Sequence, residues 1–381
     1  MLEREDLGMK NILNEIEKLH KKCLCIDQSN TNQYRLLLDN GTSKTAYYFS
    51  CPIYEEQSGK LVDLQFTRCK DAFVLNGSNA KVLVQSDGIT LENASGRLSF
   101  SLPDSTYCLR EHALFAKTHT IRPTLNGIAL TFKSDLGFMP LLHLKTDRPF
   151  FDVRANKKTV SLMADRFLPF ATVGLIGVKR GEEWLPSSIL LQQESGQSFI
   201  TGFDPRCKEK CEITVEIGLY ENKLIQDTTV ESRNAYENNV YGASAFLGYT
   251  DLCGEQWLYS KFDTQKLSDL FGVHLIKAQL YIPKLCKGAG RLSAFRVATR
   301  FCSFGSNWEN KVDASARISD IQSTERFVIL DVTKLLDDCF HGALENQGGF
   351  ILKSAERRCG YSVLSTADSY SAPQILKVEF D

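Results

Sequence analysis

The sequence lacks any long uninterrupted apolar run. A membrane-spanning helix needs about 18 to 20 apolar residues in succession, and no stretch of the 381 residues approaches that length. A secretory signal is also missing, because residues 1–8 are largely charged and no apolar segment follows them. We therefore expect no membrane insertion and find no export signal in this chain.

An excess of either charge is missing as well. The chain has 45 basic and 46 acidic residues, which gives a net charge of -1. Proteins that bind the phosphates of nucleic acids usually carry a visible basic excess, so this balance argues against a nucleic-acid partner. The apolar share of 43% is typical of a globular protein, and the length favours two or three domains.

The twelve cysteines do not have the spacing of a metal or redox site. Only Cys23/Cys25 and Cys207/Cys211 are close in sequence, and neither pair has CxxC spacing. We expect most of these thiols to act as small buried apolar groups, with a disulfide or a metal ion at Cys207/Cys211 as the alternative. No cofactor and no metal site are predicted.

The motifs of common catalytic sites are also absent. The chain contains no GxSxG, HExxH, P-loop or GxGxxG motif. His112 and His119 are seven residues apart, which suits neither a helical nor a strand-borne pair of ligands. Acidic pairs such as Asp337 and Asp338 resemble what glycosidases require, but such pairs also occur by chance. We predict no catalytic residues and a non-catalytic protein, with a polysaccharide lyase or hydrolase as the alternative.

The chain does contain a β-strand pattern. From Tyr34 onward, short alternating apolar runs such as AKVLVQSDGITLEN and CEITVEIGLY are separated by Gly, Asn, Asp and Ser turns. This pattern predicts a mainly β protein with two β-rich domains, the C-terminal one a jelly-roll-like β-sandwich. We place these domains at 29–220, either undivided or as two subdomains that meet near residue 145, and at 225–381. Residues 148–205 fit strands or a buried helical piece equally well.

An amphipathic helix is predicted before the strands, within residues 1–28. In the segment 9–25, apolar residues recur at spacings of three and four, as on one face of a helix, namely at Ile12, Leu13, Ile16, Leu19 and Cys23. Such a helix either packs on its own domain or joins copies of the chain through a short coiled coil. A homo-oligomer through residues 9–25 is therefore one expectation.

A second, shorter helix is predicted near the C-terminus. It lies in the segment DVTKLLDDCFHGALENQGGFILKS, which runs from Asp331 to Ser354. We predict Thr333 as the N-cap of this helix, followed by a glycine turn and a buried strand. The segment is expected to be a strand–helix crossover that closes one end of the sandwich, with a structural role.

Aromatic residues are concentrated in the second β-rich region. They include Tyr236, Tyr241, Tyr249, Trp257, Tyr259 and Trp308. In β-sandwich modules such rings stack on sugars through dispersion contacts. Alternate strand residues such as Trp257 and Tyr259 share one face of the sheet, and that face is either core or a ligand surface.

Ordered segments in residues 225–381 carry a resemblance to a known family. These segments are DTTVESRNAYENNVYG, YSKFDTQKL, IKAQLYIP, NWE, FVILDVTKLL with GGFILKS, and APQILKVEF. In this order they resemble the DNRLRE domain, a bacterial β-sandwich module. The preceding TAYYFSCPIYEEQSGKLVDLQF and SNAKVLVQSDGITLEN resemble β-rich segments found before such modules in clostridial-type wall and Rhs-like proteins.

The resemblance implies a non-catalytic structural or adhesive component of a bacterial surface or secreted assembly, with other subunits as partners. Related sandwiches bind acidic polysaccharides such as alginate, so a carbohydrate-binding module for an anionic polysaccharide is the alternative. Such a ligand requires Lys and Arg beside aromatic rings, and Arg296 and Arg300 have the even spacing of one strand face. The candidate ligand-binding residues are therefore Tyr241, Trp257, Tyr259, Arg296, Arg300 and Trp308.

Overall fold

The computed structural model describes most of the chain after residue 31. The described residues are 32–39, 43–55, 58–102, 105–147, 152–194, 197–204, 207, 209–286, 291–318, 321–341, 349–355 and 360–381. The predicted N-terminal helix and its role in assembly lie outside them. The mainly β fold predicted from the alternating pattern is confirmed, because antiparallel strands dominate the described part of the chain.

The strands are numbered in chain order within the described residues. The first group is β1 Arg35–Asp39, β2 Lys44–Phe49, β3 Thr67–Cys69, β4 Ala72–Asn76, β5 Lys81–Gln85, β6 Gly88–Asn93, β7 Gly96–Ser101, β8 Cys108–Arg110, β9 Ala113–Phe115, β10 His119–Thr124, β11 Gly127–Ser134, β12 Leu142–Thr146, β13 Asp152–Ala155, β14 Thr159–Met163, β15 Pro169–Arg180, β16 Glu183–Leu185, β17 Ser188–Glu194, β18 Gln197–Phe203 and β19 Cys211–Leu219. The second group is β20 Ile225–Glu231, β21 Ser244–Thr250, β22 Gly254–Phe262, β23 Leu275–Pro283, β24 Leu292–Val297, β25 Ala314–Ile318, β26 Ile321–Ser323, β27 Phe327–Asp331, β28 Gly349–Ser354, β29 Tyr361–Ser365 and β30 Ile375–Phe380. The helices are a 3-10 helix at Thr264–Leu270 and α1 at Thr333–Phe340.

These elements form two compact units. Residues 53–221 with 370–372 make the first unit, and residues 32–52, 222–369 and 373–381 make the second. Strands β1 and β2 therefore belong to the second unit, whereas the sequence pattern assigned residues from 29 onward to the first domain. The reason is a long-range pairing, since β2 lies antiparallel to the last strand, β30. Local alternation contains no information about such a partner.

The first unit is a two-sheet sandwich. Within its described residues, one sheet has the order β17-β18-β12-β7-β6-β5-β4-β3, and the other has the order β13-β14-β15-β19-β11-β10-β9-β8 with β16 paired to β15. In β5, Val82 and Val84 are buried, while the residues that flank them are more exposed. Inward-facing side chains of both sheets share one core, which includes Leu91, Ile128, Val173 and Val215.

Residues 152–204 form strands and contain no helix among those described. The longest strand, β15, has 12 residues and lies between β14 and β19. Every residue from Ala171 to Val178 is buried. A strand that is buried on both faces reads as a continuous apolar run, which is why its sequence is equally compatible with a buried helix.

The second unit is also a two-sheet sandwich. Among its described strands, the six-stranded sheet has the order β1-β2-β30-β23-β27-β26, and the seven-stranded sheet has the order β25-β24-β28-β22-β21-β29 with β20 paired to β22. Side chains from both sheets and from α1 meet in one core, which includes Tyr48, Leu258, Leu280, Leu336, Phe350 and Val378. Each sheet therefore has an inner face in the core and an outer face directed away from it.

Helix α1 packs its apolar side on this core. The prediction of Thr333 as its N-cap is wrong, because α1 begins at Thr333 and Val332 in the N-cap position makes no side-chain cap hydrogen bond. The Thr333 hydroxyl instead accepts from the N–H of Ala278 at 2.8 Å and donates to Asp331 at 2.7 Å. A hydrogen bond to the neighbouring strand therefore fixes the start of the helix.

The second unit also buries a carboxylate. Asp227 of β20 is 3% exposed and accepts from the N–H of Ala367 at 2.6 Å. Burial, together with the neighbouring Asp368, holds the pKa of Asp227 well above its usual range. The interior therefore favours the protonated form of Asp227 more than water does, and the charge of Lys223 offsets this shift in part.

The nine cysteines among the described residues are free thiols. Cys207 and Cys211 are both buried in the core of the first unit. Burial and the adjacent Cys207 thiol raise the pKa of Cys211 to about 12, as expected of an inert buried thiol. Within the described ranges, no helix has the length and apolarity needed to cross a bilayer.

Candidate ligand-binding site

The outer face of the seven-stranded sheet carries an aromatic cluster. Strand β22 alternates, so that Leu258 packs in the sandwich core while Trp257 and Tyr259 lie on the outer face. Val230 of β20 pairs opposite Trp257, and Ile351 of β28 pairs opposite Tyr259. Three hydrogen-bonded strands therefore hold these side chains on one rigid surface.

The aromatic rings contact one another in a chain. Trp257 meets Trp308 edge-on with 5.2 Å between ring centroids, and it stacks with Tyr259 at 6.5 Å. Tyr259 in turn meets Phe301 edge-on at 5.5 Å. These are the edge-to-face and stacked arrangements that aromatic pairs prefer. Both Trp side chains are half-buried, so their exposed parts are accessible to a ligand.

Tyr259 is the floor of the cluster. It is fully buried, and its hydroxyl donates to the carbonyl of Val312 at 2.7 Å. Burial raises the pKa of this hydroxyl above its usual value. Of the two interpretations of the aromatic face, core packing therefore applies to Tyr259, whereas a ligand surface remains open to the two Trp residues.

Two lysines cover the Trp rings. Lys353 Nζ lies 4.1 Å from the ring centroid of Trp257, and Lys311 Nζ lies 4.1 Å from that of Trp308. Lys311 Nζ also donates to the carbonyl of Trp308 at 2.8 Å, which holds it in place. Each pair is a cation–π contact, which contributes about 0.5–2 kcal/mol depending on exposure.

A third lysine, Lys261, lies on the same strand face. Its Nζ is 5.4 Å from the Phe301 ring centroid and donates to the Phe301 carbonyl at 3.4 Å. Burial lowers the pKa of Lys261, and the nearby charge of Arg300 acts in the same direction. A bound anion offsets both effects, because it stabilises the charged ammonium. The lysine–aromatic patch is defined as Trp257, Trp308, Phe301, Lys261, Lys311 and Lys353.

Carboxylates at Glu255 and Asp313 adjoin this patch. Glu255 accepts from the indole Nε1 of Trp257 at 2.7 Å, which fixes the orientation of the ring. Asp313 is exposed, and its charge contributes to the raised pKa of Tyr259. The charge of Asp263 also acts on Lys261 and raises its pKa. The patch therefore places lysine ammonium groups and carboxylates side by side around the two Trp rings.

Two connected loops position Trp308. The side-chain amide of Asn238 donates to two carbonyls of the loop that carries Trp308, at 2.6 and 2.7 Å. The N–H of Glu309 donates to the Ala235 carbonyl at 3.3 Å. These bonds tie the loop after β20 to the loop before β25. On the first of these loops the side chain of Tyr236 is 82% exposed.

The other candidate residues lie away from the two Trp rings. Tyr241 is buried, with a left-handed backbone φ of 67°. Arg296 forms an ion pair with Asp338 of α1 at 2.5 Å. Arg300 lies beyond the end of β24 at Val297, so the two arginines do not share a strand face. Arg300 lies near Lys261, where its charge lowers the pKa of that lysine.

The three lysines were missed by sequence reasoning, which considered arginines as the cationic ligands. Lys261 follows Tyr259 by two residues, and Lys353 follows Ile351 by two. Strand alternation alone places each of these pairs on one face of the sheet. Alternation therefore predicts which face of its own strand each lysine occupies. That the two lysines share one surface follows only from the pairing of β22 with β28.

Asp338 and His119, two of the residues considered for catalysis, have structural partners. Asp338 is paired with Arg296. His119 is buried, with its ring nitrogens 2.9 Å from the Tyr107 hydroxyl and 3.0 Å from the Thr118 hydroxyl, and burial lowers its pKa. Among the described residues, no group of three or more His, Cys, Asp or Glu side chains is arranged to hold a metal ion.

The lysine–aromatic patch can bind a ligand that is both anionic and partly apolar. Ammonium groups bind carboxylate or sulfate oxygens through charge-assisted hydrogen bonds, and the half-buried indoles offer apolar contact area to C–H groups. Comparison with protein-family models and with curated proteins finds no match to the sequence in either set. The chemistry of the patch is therefore inferred from its own charge and geometry.

Proposed function

We propose that the protein is a non-catalytic component of a bacterial surface or secreted assembly and holds an anionic polysaccharide on the lysine–aromatic patch. The observation that carries this proposal is the placement of Lys353 and Lys311 over Trp257 and Trp308, with 4.1 Å between each ammonium and its ring centroid. A uronic-acid polymer presents carboxylates beside apolar C–H faces. The paired lysines and indoles complement both kinds of group.

The length of the patch favours a polymer over a single sugar. Trp257 and Lys261 are four residues apart on one face of β22, a distance of about 13 Å at 3.3 Å per residue. A ligand with one carboxylate reaches one end of this surface only. A chain with repeated carboxylates reaches Lys353 and Lys311 near Trp257 and also Lys261 at the other end.

The lysines can leave the ring faces when a ligand binds. Each ammonium is carried on a flexible four-carbon stem, and a cation–π contact at a half-exposed site contributes about 0.5–1 kcal/mol. A hydrogen bond from an ammonium to a carboxylate contributes about 1.5–3 kcal/mol. The second interaction is larger than the ring contact alone. Lys311, which has three N–H donors, can bind a carboxylate and keep its hydrogen bond to the Trp308 carbonyl.

We infer further that residues 225–381 form a DNRLRE-like module. In support, the matching segments coincide with core elements of the second unit: Asp227 is buried in β20, Ala278 and Leu280 of β23 face the sandwich core, and the closing segment contains β30. The structural or adhesive role, the bacterial origin and the surface or secreted location rest on the resemblance of the ordered segments.

Affinity gel electrophoresis with polygalacturonate and alginate tests the binding proposal. Lys311→Met and Lys353→Met remove one charge each and keep the apolar stem. We expect each change to weaken retardation about tenfold, as the loss of one charged hydrogen bond predicts. Lys334→Met on the exposed side of α1 is the matched control and should migrate as the wild type does.

A gel that contains a neutral dextran controls for non-specific retardation. The proposal requires retardation by the uronic-acid polymers and none by dextran. It is overturned if the wild-type protein is not retarded by either uronic-acid polymer at high protein concentration. It is equally overturned if the lysine variants and the Lys334→Met control are retarded alike.

A further inference from the structure

The outer face of the six-stranded sheet contains a cavity of about 110 Å³. It is lined by Lys277, Gln279, Gln322, Ile329 and Asp331. Gln279 of β23 pairs opposite Asp331 of β27, and Gln322 of β26 pairs opposite Ile329 of β27. Three hydrogen-bonded strands therefore form the walls.

The lining side chains have unused hydrogen-bonding groups. The side chains of Lys277, Gln279 and Gln322 make no hydrogen bond or ion pair with any described residue. Oδ1 of Asp331 accepts from the N–H and the hydroxyl of Thr333 at 3.0 and 2.7 Å. Its Oδ2 has no such partner in the described part of the chain. The cavity thus combines ammonium and amide donors with amide and carboxylate acceptors.

The charges around the cavity are balanced. The lining itself contains one cation, the ammonium of Lys277, and one anion, the carboxylate of Asp331. Neighbouring Lys377 is paired with Glu379 at 2.5 Å. An anion in the cavity is repelled by Asp331 and attracted by Lys277, and a cation is subject to the reverse pair of forces. The two charges therefore favour neither sign of ligand, which suits a neutral polar molecule. Ile329, which is 8% exposed, forms an apolar part of the lining.

We propose that this cavity binds a neutral sugar ring through two adjacent hydroxyl groups. Each hydroxyl both donates and accepts a hydrogen bond. A vicinal pair can therefore donate to Oδ2 of Asp331 and to an amide oxygen, while it accepts from Gln279, Gln322 or Lys277. The C–H edge of the ring then rests on Ile329. Because the cavity is open to solvent, a dissociation constant on the order of 1 mM is expected for a monosaccharide.

This proposal is independent of the lysine–aromatic patch, which lies on the other sheet. Ligand-observed saturation-transfer NMR on the full chain tests it, with D-glucose, D-galactose and D-mannose as neutral probes. A galacturonate oligomer in the same samples reports on the patch. The variants are Gln279→Ala and Gln322→Ala, and the matched control is Gln265→Ala, which truncates an exposed glutamine in the 3-10 helix.

The expected result is saturation transfer to at least one hexose. This signal should fall about tenfold in each cavity variant, as the loss of a ligand hydrogen bond predicts, and it should persist in Gln265→Ala. Thermal unfolding of each variant verifies that it folds. The proposal is overturned if no hexose receives saturation, or if Gln279→Ala and Gln322→Ala retain the wild-type signal. The galacturonate signal separates this outcome from a failure of the patch.

Discussion

The outer faces of the two sheets in the second unit carry different kinds of side chain. On the seven-stranded sheet, outward positions hold aromatic rings, which bury Tyr259 and Ile351 in a second small core beneath Lys311 and Lys353. On the six-stranded sheet, the outward positions hold the rings of Tyr281 and Phe327, which meet edge-on at 5.8 Å, and beside them the polar side chains of Gln279 and Asp331, which line an open cavity. Both faces therefore carry rings. They differ in the partners of those rings, because lysine ammonium groups lie over the indoles of the seven-stranded sheet.

The two faces are therefore expected to bind ligands of different charge. The aromatic face places its cations against apolar area, so a bound anion gains charge-assisted hydrogen bonds at a partly dehydrated site. The polar face has balanced charges and unused amides, which favour a neutral ligand with hydroxyl groups.

Tyr259→Ala should have the largest effect. Truncation of a fully buried aromatic side chain costs about 3–5 kcal/mol of unfolding free energy. Gln279→Ala, at an outward position of the opposite sheet, should change it by less than about 0.5 kcal/mol. Urea denaturation of both variants measures the difference. Equal losses in the two variants contradict the view that the aromatic face has a core of its own.

Asp227→Asn tests the buried carboxyl that lies between the two sheets of the second unit. The pKa of Asp227 is raised in the folded protein, whereas an unfolded Asp ionises near pH 3.9. The unfolded chain therefore loses this proton first, and its stabilising effect is lost as pH rises from about 4 through the folded pKa. We expect Asp227→Asn to melt higher than the wild type by a few degrees at neutral pH.

Melting curves at several pH values between acidic and neutral conditions measure this effect. The difference in Tm between Asp227→Asn and the wild type should shrink as the pH falls to about 4 and below, because the wild-type carboxyl then becomes protonated in the unfolded state as well. Asp251→Asn, at an exposed position, is the control and should show no such trend. A variant that melts lower than the wild type at neutral pH contradicts the assignment.

Arg296→Met and Arg300→Met separate a structural arginine from one beside the patch. Arg296 is paired with Asp338 in a partly buried ion pair, so its loss should cost about 1 kcal/mol of stability and leave polygalacturonate binding unchanged. Arg300 is exposed beside Lys261, so its loss should leave stability unchanged. Polygalacturonate binding should then weaken about two- to threefold, as for a solvent-screened charge. The placement is refuted if Arg296→Met weakens polygalacturonate binding while Arg300→Met lowers stability.

The mainly β fold was predictable because its physical signal is local. Alternation in segments such as KVLVQ and the polar turns between them reflect burial on one face of a strand. The pairing of β2 with β30 and the contact of Thr333 with Ala278 join residues that are remote in sequence. No local pattern predicts such contacts, and both the domain of β1 and β2 and the N-cap of α1 depend on them.

The candidate site was predictable in part for the same reason. Trp257 and Trp308 were chosen for their chemistry, and the structure brings them into contact at 5.2 Å. Lys311 and Lys353 belong to a loop and a strand remote from Trp257 in the sequence, so only the fold places them on one surface. The even spacing of Arg296 and Arg300 predicts one shared strand face. Arg296 instead forms an ion pair with Asp338 of α1.

The central claim is that the lysine–aromatic patch binds an anionic polysaccharide. The chain has three Trp residues, and Trp184→Phe leaves Trp257 and Trp308 as the only indoles, so that their fluorescence reports on the patch. The direct measurement is a fluorescence titration of this variant with polygalacturonate at low salt and at about 1 M salt, where the Debye length is about 3 Å. A saturable change that is lost at high salt and reduced by Lys311→Met and Lys353→Met is the predicted result. An emission spectrum that polygalacturonate leaves unchanged at low salt contradicts the claim.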